Sequence, residues 1–273
     1  MVERIKRRAA EWWGGSGKES NRPNLLSMIK NGTLDTRLAA ILWLLFERGS
    51  SVIFASEDKS AGKTSMLSAL IDFIPPSYQK SYVYGPKFES PEQEGDFKKT
   101  YLLMPGISAK GEADFWGANV AKMLKCSKDL GPFSTTMYGG SPEDVLRIFN
   151  ASPLKIPNIV LNTIGVIVIV DAINTSGRSV SRRVRQLVLV VPEKSGKPKI
   201  ITLVGFEPDL DKYIFMDSQS VISNLSKHLK LDVDKLEPEI NRLRRRIEAW
   251  IAIGTSTSSE VRKAVNQYYI SQE

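Results

Sequence analysis

A single cysteine, Cys126, excludes an internal disulfide and fits a reducing compartment. Long apolar runs are missing as well: the longest, Leu38 to Phe46, falls well short of the roughly 18 residues that a transmembrane helix needs. No signal peptide opens the chain, so the expectation is a soluble, cytoplasmic protein. Histidine is nearly absent, with His228 the only one, and no internal repeat is found. Acid is the scarcer charge: 30 Asp and Glu stand against 38 Lys and Arg. The resulting +8 points to an acidic partner, whether nucleic acid, an anionic membrane surface or an acidic protein face. What the chain has in plenty is core: 42% hydrophobic residues over 273 positions suit one large domain or two small ones.

The most informative stretch is Ser51 to Pro76. An apolar run, Val52-Ile53-Phe54-Ala55, predicts a strand; a polar turn ends in Ala61-Gly62-Lys63-Thr64; a helix follows with Met66, Leu67, Leu70 and Ile71 on one face. A tight loop at a helix N-terminus offers unpaired backbone N–H groups to an oxyanion, Lys63 can reach outer phosphates, and the Thr64 hydroxyl can ligate Mg²⁺. The candidate cofactor-binding residues are Ser60, Ala61, Gly62, Lys63, Thr64 and Ser65, with Thr64 the candidate metal ligand and ATP or ADP with Mg²⁺ the cofactor. The motif is incomplete, because Glu57 occupies its first glycine position and Asp58 follows. Two carboxylates at the mouth of an anion site repel phosphate unless Lys59 or a metal screens them; Asp58 could conversely replace a lost metal ligand.

Residues 1–22 read as a basic amphipathic helix, with Val2, Ile5, Ala9, Trp12 and Trp13 at helical spacing, then a Gly-rich linker. Such a helix can lie on an anionic membrane or dock on a partner, which allows peripheral contact at the inner face of the membrane through residues 1–13. From 23 to 215, strand and helix signals alternate. Short and nearly all-apolar helices come before Gly49, strands are expected at Ser81–Tyr84, Tyr101–Met104 and Phe133–Met137, and a helix at Glu112–Lys125. Ser141-Pro142-Glu143-Asp144 caps another helix, and Gly165–Val170 is a strand buried on both faces. The stretch Gly85 to Lys99 is expected as a solvated loop, and Arg185–Val191 with Lys199–Phe206 as a hairpin. This alternation predicts an α/β domain with a largely parallel sheet. Residues 216–273 predict a helical subdomain of three amphipathic helices, the third opened by a Thr257/Glu260 capping box.

In order and spacing, NLLSMIKNGTLDTRLAAILWLL, AGKTSMLSALIDFIPP, GPFSTTMYGGSPEDVLRIF and SVSRRVRQLVLVVP resemble the motor domain of the type II/type IV secretion ATPase superfamily. The likeness runs from Asn24 to about Tyr269 and is strongest to the archaeal pilus and archaellum assembly branch. It implies a RecA-like P-loop NTPase fold, a ring of six subunits beneath a membrane platform, and ATP hydrolysis that drives pilin insertion or removal. Position by position, Lys63 and Thr64 match. No carboxylate stands near Tyr84-Gly85-Pro86, Gly106 falls at the Walker B glutamate, and Tyr138 at the histidine of the histidine box, which the distant His228 cannot replace. The arginine-bearing connection is shortened between Gly85 and Tyr101, and only a short helix and linker precede Asn24 in place of a separate N-terminal domain.

By that comparison no catalytic residue survives, and several missing transition-state contacts leave little turnover. The favoured reading is a catalytically degenerate paralogue that serves as structural or regulatory partner of a motor ATPase or its membrane platform, as a monomer or within a homo- or hetero-oligomeric ring. One alternative is a working ATPase with displaced catalytic residues. Another is a nucleic-acid binder using Arg178, Arg182, Arg183, Arg185 and Arg242, Arg244, Arg245, Arg246, against which stands a solvated face or subunit interface.

Overall fold

The computed structural model describes residues 22–83, 99–104, 106–109, 115–175 and 179–272. The expected basic helix of residues 1–13, Tyr84-Gly85-Pro86 with the loop after them, Glu112 and Arg178 lie outside the described residues.

Eight strands form one sheet in the order β2-β3-β4-β1-β5-β6-β7-β8. Strands β1 (Val52–Ser56), β2 (Tyr78–Tyr82), β3 (Lys99–Leu103), β4 (Phe133–Tyr138) and β5 (Val166–Thr175) run parallel. Strands β6 (Ser179–Pro192), β7 (Pro198–Glu207) and β8 (Lys212–Phe215) continue the sheet antiparallel. The α/β fold with a mostly parallel sheet is therefore as the alternation predicts. The loop-bearing β1 sits centrally, separated from β3 by β4. Period-2 alternation splits the central strands between two apolar layers: Val52, Phe54, Val166 and Val168 face one side, Ile53, Ala55, Ile167 and Ile169 the other. Both faces are covered, so these strands carry no polar face of their own.

The first layer holds α1 (Leu25–Lys30), α2 (Thr36–Glu47) and α3 (Lys63–Leu70), together with α7 (Gln219–Leu229), α8 (Val233–Ala252) and α9 (Ser258–Ile270). The second holds α4 (Ala118–Leu130), α5 (Pro142–Asn150) and α6 (Asn158–Leu161). Helix α2 is apolar all round because it lies between the sheet and α8, and every residue from Leu38 to Phe46 is buried. Trp43 stacks on Trp250 and meets Phe73 and Tyr268 edge-on. Its indole N–H donates to the Tyr269 hydroxyl at 3.0 Å, which donates to the Phe73 carbonyl at 2.7 Å. A buried relay thus ties α2 and α9 to the 3₁₀ turn that ends α3. Capping boxes open α1 at Asn24 and α9 at Thr257, and Ser141 caps α5 with Pro142 as its first residue.

Several boundaries differ from expectation. Strand β2 begins at Tyr78, not Ser81, and the helix expected from Glu112 is described from Ala118 to Leu130. Strand β6 starts at Ser179, not Arg185, because its polar first half pairs with an extension of β5, Ile173 opposite Ser181. Strand β8 and helix α6 are four-residue elements, too short for any periodic signal. Among the described residues, no helix is long and apolar enough to cross a membrane.

Candidate functional site

Strand β1 delivers its loop to the middle of the sheet. The buried Ser56 anchors it twice: its carbonyl accepts Gly139 N–H at 3.1 Å and its hydroxyl accepts Asp58 N–H at 3.0 Å. Asp58 then folds the loop, its carboxylate accepting the Ser60 N–H at 2.7 Å and the Ser60 hydroxyl at 2.9 Å. That backbone hydrogen bond is the main reason the carboxyl titrates below the usual range. Gly62 turns the chain into α3 at φ +93°, a left-handed conformation that L side chains rarely adopt, and provides no side-chain cap. The helix N-terminus is therefore open to an acceptor from outside the chain.

Lys63, the first residue of α3, is buried. Its ammonium donates to the Asp58 carbonyl at 2.6 Å and sits 4.8 Å above the Tyr138 ring. Burial lowers its pKa, and the Asp58 charge opposes that shift. Ala61 is buried and Thr64 and Ser65 are half-buried, so the expected binding residues form one continuous turn around the N-terminus of α3. The feared repulsion at the mouth is reduced by conformation. Asp58 is engaged with Ser60, and the Glu57 carboxyl leans on the β4–α5 turn, where a Cβ added to Gly140 would stand 2.7 Å from it.

Two of the positions to which the resemblance assigns catalysis, Gly106 and Tyr138, lie at or just past the ends of the neighbouring strands β3 and β4. Ser56 and Tyr138 are register partners at the ends of β1 and β4. Past the end of β3, Met104 N–H donates to Ser134 O and Ile107 N–H to Thr136 O, so Gly106 runs alongside β4. Its carbonyl accepts Phe115 N–H at 2.9 Å. At this edge β3 thus presents a glycine and β4 a tyrosine. The turn fits a phosphate group. For Mg²⁺ the fit is poorer: Thr64 offers a hydroxyl, the Asp58 carboxylate is turned to Ser60, and no cluster of three or more His, Cys, Asp or Glu placed to hold a metal occurs among the described residues.

Composition did not single out Arg182 as a site residue. From β6 its Nε donates to the Ser60 carbonyl at 3.0 Å, and its Cδ lies 2.9 Å from where a Gly62 Cβ would be. The two basic clusters are otherwise largely paired. Arg183 binds Asp211 and the Asn31 carbonyl, Arg185 binds Asp171, Arg242 binds Glu239, and Arg244 binds Glu248. His228 lies at the opposite end of the central strands, its Nε2 2.9 Å from the hydroxyl of Ser50, which precedes β1.

No protein-family model matches the chain. It is 27% identical over 248 residues to the uncharacterized protein MJ1287 of Methanocaldococcus jannaschii, covering 81% of this chain and 88% of that one. It is 22% identical over 219 residues to the uncharacterized protein MJ0900 of the same organism, covering 70% of this chain and 38% of that one. Among solved structures it is similar to the VirB11 ATPase of the Brucella suis type IV secretion system, with a TM-score of 0.40 and 15% identity. It is also similar to the Legionella pneumophila ATPase DotB, with a TM-score of 0.36 and 13% identity. The matches cover 60% and 82% of this chain, and the chain spans only a little over half of each, 54% and 57%.

Proposed function

We propose that this chain binds ATP or ADP at Ser60–Ser65, turns it over weakly or not at all, and serves a type IV pilus-like or archaellum-like motor complex as a structural or regulatory partner. The observation that supports the reading is a turn with Gly62 left-handed and Lys63 heading α3, together with strand ends that bear Gly106 and Tyr138. Gly62 in the left-handed conformation and Lys63 at the first position of α3 support binding. Hydrolysis needs in addition a group that orients water and charge that stabilises the transition state. Losing one such contact costs about 3 kcal/mol, a hundredfold or more in rate. In this reading residues 23–215 form the nucleotide-binding domain and 216–273 a helical subdomain packed on it, in a monomer or a homo- or hetero-oligomeric ring.

One observation favours a second reading, a working ATPase. Arg182 reaches the loop in cis and brings positive charge to it. Titration with fluorescent ATP and ADP, with and without Mg²⁺, decides between them when phosphate release is followed in the same samples beside Lys63→Ala. Binding lost in the variant without release supports the first reading. Release that depends on both Lys63 and Arg182 supports the second, and no binding at all overturns both.

A further inference from the structure

The loop at the head of α3 is charged unevenly across the sheet. On the β5 and β6 side stands Arg182, its Nε on the Ser60 carbonyl at 3.0 Å. On the β4 side stand a ring and an acid. Tyr138 ends β4 opposite Ser56 and is 37% exposed, and the Glu57 carboxyl rests against Gly140, two residues further along the chain. Among the described residues no cation pairs with that carboxyl.

Lys63 lies between the two sides. The residue is only 7% exposed, and no carboxylate among the described residues forms an ion pair with it. A buried cation without a counter-ion is itself a reason to expect an anion from outside the chain. Its ammonium has three donors. The Asp58 carbonyl takes one at 2.6 Å, and the Tyr138 ring covers another direction, with its centroid 4.8 Å from the nitrogen.

That arrangement limits how many phosphates the lysine can serve. For a triphosphate, a lysine at the head of such a helix cradles both outer phosphates. Here the carbonyl and the ring leave the ammonium room for a single phosphate. The ammonium also lies beneath Tyr138, so a phosphate chain that runs to it from the N-terminus of α3 heads for the end of β4. A further phosphate there meets the ring and the unpaired Glu57, and its added negative charge raises the repulsion.

We propose that the site selects a nucleoside diphosphate over the triphosphate, and that Tyr138, with Glu57 beside it, sets the preference. The inference rests on nucleotide binding at Ser60–Ser65.

Calorimetric titration of the full chain with ADP and with the non-hydrolysable triphosphate AMP-PNP tests it, in EDTA so that no metal screens the carboxylates. Wild type should bind ADP about tenfold more tightly or better. Tyr138→Phe keeps the ring and should keep the ratio. Tyr138→Ala frees the ammonium and should narrow the ratio about fivefold by tightening the triphosphate, and Glu57→Gln should narrow it about threefold. Thermal unfolding checks the fold; if Tyr138→Ala does not fold, Tyr138→Leu, bulky but without a π face, takes its place. Equal affinities in wild type, a ratio unchanged without the ring or narrowed only through weaker ADP, or a preference lost in Tyr138→Phe overturns the selection and leaves nucleotide binding standing. Binding of neither nucleotide overturns both.

Discussion

Replacing Tyr269 by Phe deletes one oxygen from the relay that joins α2, α3 and α9. The ring should stay, since it is packed in the same layer as Trp43 and meets Tyr268 edge-on at 5.1 Å. Two groups lose their partner: the Trp43 N–H, on a side chain with no exposed surface, and the Phe73 carbonyl. Stranding a buried donor or acceptor costs about 1–3 kcal/mol each, so the variant should lose about 3 kcal/mol. For a chain of this size that lowers Tm by roughly 6 °C or more. A double-mutant cycle isolates the relay. In a Trp43→Phe background no indole N–H remains to be stranded, so Tyr269→Phe should cost at least about 1 kcal/mol less there. Urea unfolding followed by circular dichroism measures all four proteins without relying on the tryptophan that is changed. A Tyr269→Phe cost below about 0.5 kcal/mol, or an equal cost in both backgrounds, would refute the relay as a stabilising element.

Three further outcomes are expected. Gly62→Ala must hold an L residue at φ +93° with its Cβ against Arg182, so unfolding should show a loss of about 1–2 kcal/mol; an unchanged midpoint would mean that the loop does not depend on the left-handed turn. Arg182→Ala removes the hydrogen bond to the Ser60 carbonyl, and fluorescent ADP should bind about five- to tenfold more weakly, worth about 1–1.5 kcal/mol, with no rescue by Arg182→Lys, which lacks the Nε donor; equal affinity in all three would sink the assignment. Burial lowers the pKa of His228 below 6.5, so the folded chain binds fewer protons than the unfolded one as pH falls through that value. Stability should therefore decline below about pH 6.5, and His228→Gln should flatten the decline; an identical slope in the variant would assign it to other groups.

The loop was legible because three local signals agree: an apolar strand, a glycine at the turn, and a helix whose apolar face starts within the first turn. Helix α2 was legible for a related reason, since nine consecutive apolar residues admit only a buried element. The caps at Ser141 and Thr257 were read from single side chains that accept N–H groups three residues on. Gly106 and Tyr138 drew notice through resemblance, not through chemistry of their own. Arg182 escaped because its contact spans 122 residues, and in the sequence it is one basic residue among several. The polar half of β6 escaped because its partner is an extension of β5 and its residues form no apolar stripe. Asp58 was read as a charge and turned out to be a loop fold, a distinction that depends on which N–H groups the backbone brings within reach.

The relay through Tyr269 also sets an order of events during synthesis. The Phe73 carbonyl and the Tyr269 hydroxyl are 196 residues apart, and Trp43 and Tyr269 are 226 apart. Strand β1, its loop and α3 therefore leave the ribosome long before the helix that locks them. Until α8 and α9 arrive, the nine apolar residues of α2 have no cover on one side, and pairings of such long range form slowly. The face of α2 that meets α8 thus stays open until the C-terminal helices dock, and the turn that ends α3 gains its hydrogen bond from Tyr269 only then.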